Sequence, residues 1–172
     1  PVAPPDFPGY DIAAVALPTW AIGGDYYDYV PLREGRLGLV IAHVSGKGSP
    51  AALIMATFRA ALRTEMRRHA DLRAVADQLN GAVLESGDTS RFVTAVCGVL
   101  DSSSGRLTYV NCGHNPPLLL RASGGAESLR SGGPALGFFA TAGFATGTVD
   151  LEPGDRLVLY TDGVVEPTDD ED

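Results

Sequence analysis

A chain of 172 residues, 45% of them hydrophobic, carries enough apolar material for one core and calls for no second domain. Its 13 basic against 21 acidic side chains leave a formal charge of -8, which argues against a binder of nucleic-acid phosphate backbones. Two cysteines, Cys97 and Cys112, are too few for a secreted disulfide scaffold, and no apolar run approaches the roughly 20 residues of a membrane helix, so a cytoplasmic protein away from membranes is expected.

Residues 1–9 are proline-rich and read as a linker from an upstream domain. Tyr10 to Leu17 is apolar and β-prone. Tyr26 to Leu32, the turn Arg33-Glu34-Gly35, and Arg36 to Ala42 read as a hairpin. Ser49-Pro50 predicts an N-cap followed by proline at the first helical position, with Leu53, Ile54, Met55, Phe58, Ala61 and Leu62 at helical spacing on the inner face. Arg59, Arg63 and Arg67 form a stripe on the other side, expected to be solvated. Asp71 predicts the cap of a second helix with Leu72, Val75, Leu79 and Val83 inward, ending at Ser86-Gly87.

From Phe92 onward, short strand-like runs alternate with turn chemistry: Phe92 to Leu100, Leu107 to Asn111, Leu118 to Arg121, Phe144 to Leu151 and Arg156 to Tyr160. Strands, two helices and more strands predict a single layered α+β domain over residues 1–172, its sheet mostly antiparallel and its helices packed on a sheet face. Residues 167–172 form an acidic tail. Leu136, Phe138 and Phe139, in a glycine-flanked segment, suit either core packing or a partner-facing flap.

Three glycine-rich strand exits carry the chemistry. Ile22-Gly23-Gly24-Asp25-Tyr26-Tyr27-Asp28 and Tyr160-Thr161-Asp162-Gly163-Val164-Val165-Glu166 set carboxylates beside glycines, and His43-Val44-Ser45-Gly46-Lys47-Gly48 is the third. Carboxylate oxygens bind Mg²⁺ or Mn²⁺, and a neighbouring glycine removes the Cβ that would keep a carbonyl or water from an ion. The plain alternative is a set of acidic turns. Gly46-Lys47 is not a phosphate-binding P-loop, because Ile41 stands where the upstream glycine belongs and Gly48 where Ser or Thr would hold the metal. Cys97, Cys112 and His114 lack paired zinc-ligand spacing, and a buried structural thiol and a loop histidine are expected instead.

Gly24-Asp25-Tyr26-Tyr27-Asp28, Val44-Ser45-Gly46-Lys47-Gly48 with Ala51-Ala52-Leu53, Cys112-Gly113-His114-Asn115-Pro116-Pro117, and Pro153-Gly154-Asp155 with Tyr160-Thr161-Asp162-Gly163 occur in that order. This series resembles the PPM-type metal-dependent serine/threonine phosphatases, and within them the bacterial RsbU/SpoIIE-like branch that regulates sigma factors. The resemblance implies a β-sandwich flanked by helices, a centre of two Mn²⁺ or Mg²⁺ ions at its edge, and hydrolysis by metal-activated water with no side-chain nucleophile. It further implies a phosphoserine or phosphothreonine substrate on an anti-sigma-factor antagonist-like protein in a stress-response pathway, with an upstream sensory domain.

By position, the resemblance makes Asp25 and Asp162 metal ligands and Val44 a ligand through its backbone carbonyl. His43 stands where the family has the aspartate that bridges both ions, and an imidazole, with one lone pair per nitrogen, holds at best a single ion. Gly24, Asp28, Lys47, His114, Gly163 and Glu166 are candidates for supporting the ligands or meeting substrate. The family continues beyond the Thr-Asp-Gly motif to a further metal-binding aspartate, so a C-terminal part is expected to be missing from this chain. Two functions remain open: an active protein phosphatase, or a weakened phosphatase fold that serves as a regulatory binding module.

Overall fold

The computed structural model describes residues 3–16, 24–87 and 90–164. Strand β1 (Asp25–Pro31) and β2 (Arg36–Val44) form the expected hairpin. Glu34 and Gly35 both take positive φ, 60° and 67°, the conformation of a primed hairpin turn whose twist matches the strands it joins. Helices α1 (Ser49–Arg68) and α2 (Leu72–Glu85) follow, then β3 (Val93–Asp101) and β4 (Arg106–Cys112). The short strands β5 (Leu118–Leu120), β6 (Ala126–Ser128), β7 (Gly132–Gly133), β8 (Gly147–Asp150) and β9 (Arg156–Val158) complete the order, before a 3₁₀ turn at Asp162–Val164.

The strands build two sheets. One has the order β1-β2-β3-β4-β7 with β8 also paired to β4; the other is β6-β5-β9. All pairings are antiparallel except β4 with β7. Alternation along each strand divides the large sheet cleanly, since successive side chains point to opposite faces. Val30, Val40, Ala42, Val44, Ala95, Cys97 and Val110 face the helices and pack with Phe58, Leu62, Leu79 and Val75. Tyr29, Leu37, Leu100, Leu107 and Tyr109 face the other way, toward the small sheet, where they meet Leu119 and Leu129. The result is a helix layer, a large sheet and a small sheet, with one core in each interlayer space.

The second helix matches its sequence. The Asp71 carboxylate accepts from the Arg73 amide at 2.9 Å, Leu72, Val75, Leu79 and Val83 are buried, and Gly87 takes φ 79° just past the end. The first helix differs at its start and on one face. Gly48, with φ 81°, is the N-cap and makes no side-chain cap bond, so Ser49 and Pro50 are both inside the helix. Leu53 is 70% exposed, whereas Ala51 and Met66 join Ile54, Phe58 and Leu62 on the inner stripe.

Four further expectations change. Tyr10 to Leu17 forms no strand in its described part: Phe7 and Tyr10 make one bridge, and residues 11–16 run without pairing while Tyr10 and Ile12 pack on the inter-sheet core. Phe7, inside the stretch read as a linker, is buried in that core. Arg63 is not part of a solvated stripe, because it reaches the carboxylate of Asp28, which is fully buried. The Leu136 segment divides: Leu136 is buried and bridges Val93, while Phe138 and Phe139 stay exposed with ring centroids 5.2 Å apart. Leu17, Ile22, Gly23, Val165, Glu166 and the acidic tail lie outside the described residues.

Candidate metal centre

The large sheet aligns polar side chains at one end of its inner face. Asp25 opens β1 and pairs with His43 near the end of β2, and His43 pairs in turn with Thr94 at the start of β3. These three positions form one row across three strands on the face that turns toward the small sheet. At this end the sandwich opens, and Asp162 arrives from the opposite layer, four residues beyond the end of β9. Ligand atoms of Asp25, His43 and Asp162 all lie within 4.8 Å of one another. Sequence separation is large: sheet register sets Asp25 beside His43, and the packing of the opposite layer brings the turn carrying Asp162 to them.

His43 Nδ1 sits 2.7 Å from Asp25 Oδ1 and 3.8 Å from Asp162 Oδ1. Its hydrogen bond with Asp25 is the main reason the imidazole pKa is raised and the Asp25 carboxyl is held below its usual range. The other oxygen of Asp25, Oδ2, accepts from the Thr161 hydroxyl at 3.1 Å, which fixes the carboxylate plane. Gly24 belongs to the same corner. A Cβ there would lie 2.7 Å from the Val44 carbonyl oxygen and 3.2 Å from the His43 ring, so only glycine leaves that oxygen uncovered.

His114 forms the floor. It is buried, and burial lowers its pKa, so the ring is neutral. Nε2 lies 3.1 Å from the Tyr160 carbonyl and must donate to it, which leaves Nδ1 to accept from the Thr94 hydroxyl at 2.9 Å. Asn111 holds the backbone of His114 at both ends, its amide donating to the His114 carbonyl at 3.0 Å and its oxygen accepting the His114 amide at 2.7 Å. An open cleft of about 280 Å³ lies above, lined by His43, Ser45, Phe92, Thr94, His114, Asn115 and Asp162.

The remaining candidates lie elsewhere. Asp28 is on the helix-facing side of β1, where Tyr26, the Tyr29 amide and Arg63 bind it at 2.5, 2.8 and 2.5 Å, so it holds the helix layer to the sheet, not the metal corner. Lys47 is exposed on the loop before α1. Gly163 lies in the 3₁₀ turn, where an added Cβ would be 4.0 Å from Asp25 Oδ2. Thr94, Thr161 and Asn111 had no sequence signal beyond their places in strand ends and motifs, because hydroxyls and amides in such places are common.

The residues present fit one divalent cation: two carboxylates and an imidazole converge, with a carbonyl left bare by Gly24 beside them. They do not fit a pair of ions bridged from the position of His43.

The model of the family described as Stage II sporulation protein E (SpoIIE) matches residues 33–172. The chain belongs to that family. Protein IcfG of Synechocystis sp. is 32% identical over 193 residues, covering 96% of this chain and 30% of that protein. Phosphoserine phosphatase RsbU of Bacillus subtilis is 31% identical over 157 residues, covering 91% of this chain and 47% of that protein. Among solved structures, the RsbU and RsbW domains of Rv1364c from Mycobacterium tuberculosis match with TM-score 0.76 and 33% identity over 88% of this chain and 43% of that one. The chain spans less than half the length of each of these relatives. Family and fold agree with the resemblance carried by the ordered motifs. Among the described residues, no helix is long and apolar enough to cross a membrane.

Proposed function

We propose that this chain is a metal-dependent protein serine/threonine phosphatase domain acting in the cytoplasm on a phosphoserine or phosphothreonine regulator, an anti-sigma-factor antagonist-like protein, under an upstream sensory domain. The observation that carries the reading is the convergence of Asp25, His43 and Asp162 at the mouth of an open cleft. A divalent cation bound there, Mn²⁺ or Mg²⁺ in the family pattern, supplies activation of water and neutralisation of phosphoryl charge. Asp25 and Asp162 hold the ion, and Thr161 keeps the Asp25 carboxylate oriented. His114 spends both ring nitrogens on Thr94 and Tyr160, so it shapes the floor and moves no proton to substrate. Ser45, Thr94 and Asn115 offer polar walls for a phosphoryl group.

The test is phosphate release from a phosphoserine protein and from an aryl phosphate, with and without Mn²⁺. Asp25→Asn and Asp162→Asn each lower turnover by about 100-fold or more. Unchanged rates in both variants would exclude this centre.

One observation favours a second reading, a regulatory module that grips a phosphorylated partner without hydrolysing it. Asp25 is already paired with His43 inside the centre, which offsets negative charge that a cation needs. Capture of the phosphorylated partner with no phosphate released in Mn²⁺ would support it.

A further inference from the structure

The corner has room and donors for one ion, whereas the family resemblance implies two. We propose that Asp25, His43 and Asp162 form a one-ion site that selects later first-row transition metals such as Fe²⁺, Co²⁺ or Zn²⁺ over Mg²⁺. The inference rests on the reading of this corner as the phosphatase metal centre.

Geometry carries the first half. An ion with bonds of about 2.0–2.2 Å separates adjacent donors by roughly 3–3.5 Å. His43 Nδ1 lies 2.7 Å from Asp25 Oδ1 and 3.8 Å from Asp162 Oδ1, so small adjustments in opposite senses bring all three atoms onto one ion. Two ions sharing a ligand sit about 3.5–4 Å apart and need a donor with lone pairs aimed at both. In the metal-free chain Nδ1 donates to Asp25 Oδ1; an ion displaces that proton, after which the atom offers one lone pair in the ring plane, directed into the Asp25 corner. The second ring nitrogen lies across the ring and cannot reach an ion adjacent to the first.

Charge adds a separate argument. Two carboxylates balance one divalent cation, and a neutral imidazole adds nothing to that balance. Among the described residues, the grouping of side chains able to ligate a metal is confined to these three. Asp28, the buried carboxylate nearest in sequence, is on the opposite face of the sheet and already paired with Arg63. A second dication would therefore enter without a counter-charge from the described part of the corner.

Donor chemistry carries the second half. Mg²⁺ favours oxygen ligands in near-ideal octahedral geometry and sheds water reluctantly. An imidazole donor suits the later first-row metals, which hold nitrogen more strongly and accept lower or distorted coordination. Three protein ligands, two of which (His43 and Asp162) line an open cleft, also leave coordination positions for water and a phosphoryl oxygen, the arrangement of a reactive site rather than a closed structural one.

The experiment strips the chain with a chelator and titrates it with Co²⁺, Mn²⁺, Zn²⁺ and Mg²⁺ by calorimetry, with bound metal counted after dialysis and Co²⁺ also followed by its visible absorption. The wild-type chain binds one Co²⁺, at least about 100-fold more tightly than Mg²⁺. His43→Asp, checked by circular dichroism for folding, narrows the Co²⁺-to-Mg²⁺ ratio by about tenfold or more. Two ions per wild-type chain, Mg²⁺ binding as tight as Co²⁺, or an unchanged ratio in a folded His43→Asp chain would each overturn the proposal. Wild-type stoichiometry and selectivity decide the matter even where the variant fails to fold. Because no phosphoester is present, a chain that binds one Co²⁺ selectively yet hydrolyses nothing would defeat the phosphatase reading and leave this one standing.

Discussion

His114 Nε2 donates to the Tyr160 carbonyl, 3.1 Å away and two residues before Asp162. This bond fastens the segment leaving the small sheet to the floor of the large one, so the position of Asp162 depends on a histidine that need not touch the ion. His114→Ala removes the donor to the half-buried Tyr160 carbonyl and the acceptor of the Thr94 hydroxyl, which keeps only a longer bond of 3.4 Å to the His43 carbonyl. It should lower Co²⁺ affinity by roughly 10–100-fold, as loss of a residue supporting a metal ligand does. Calorimetry measures the first effect, and urea unfolding should show a loss of about 1–3 kcal/mol.

Arg63 and Asp28 hold the helix layer to β1 by a charged pair whose carboxylate is fully buried. Arg63→Met strands that charge and should cost about 3–5 kcal/mol, whereas Arg63→Met combined with Asp28→Asn should cost clearly less. Urea denaturation of the single and double variants gives the comparison. Equal losses would show that the carboxylate is satisfied by Tyr26 and the Tyr29 amide alone.

The Asp25–His43 pair makes the stability of the metal-free chain depend on pH. His43 has a raised pKa, so its contribution is full below the unfolded value of 6.5 and is lost as pH rises through the folded one. Asp25 has a lowered pKa, so its contribution is present above the unfolded value of 3.8 and is lost as pH falls through the folded one. His114 works in the opposite sense, since its lowered pKa removes stability as pH falls below 6.5. The difference in Tm between wild type and His43→Ala isolates the pair. It should be largest between roughly pH 4 and 6.5 and shrink toward pH 8, with a modest size because both side chains are partly exposed to screening solvent.

Gly24→Ala should place a methyl group against the Val44 carbonyl and the His43 ring. The expected outcome is a loss of about 1–3 kcal/mol in unfolding free energy. Metal titration should show weaker binding in the fraction that folds, and wild-type affinity would show that the carbonyl takes no part.

Cys97 and Cys112 are free and buried under the helices, where desolvation pushes the Cys97 thiol up to about 12 and raises Cys112 as well. Neither should react with a disulfide reagent in the native chain at neutral pH, and both should react in denaturant. Reaction of either thiol before unfolding would contradict the burial.

Much of the frame was legible because local rules and burial agreed. The Asp71 cap, the inward set of α2 and the Glu34-Gly35 turn each follow from backbone preferences acting within a few residues. The order of motifs also marks Asp25 and Asp162 as carboxylates of one metal-site pattern. The misreadings arose where a distant partner decides. Leu53 fits the helical apolar pattern, yet what covers a helix face is set by the sheet beneath it, and Leu53 lies outside that contact. Arg63 resembles any solvated arginine until β1 brings Asp28 within reach. The two-residue strand β7 has no sequence signature, because it exists only through its pairing with β4.

The sequence by itself determined the family, the alternation that divides the large sheet into two buried faces, and the imidazole standing among carboxylates. Those properties belong to individual side chains and to their spacing along the chain. Only the tertiary structure decided that Asp25, His43 and Asp162 share a corner, that Asp28 does not, and that Thr94, Thr161 and His114 hold the corner in shape. Strand register and the packing of one sheet over another set distances between residues far apart in the chain, and a hydrogen bond or metal site forms only when those distances fall to within about 3 Å.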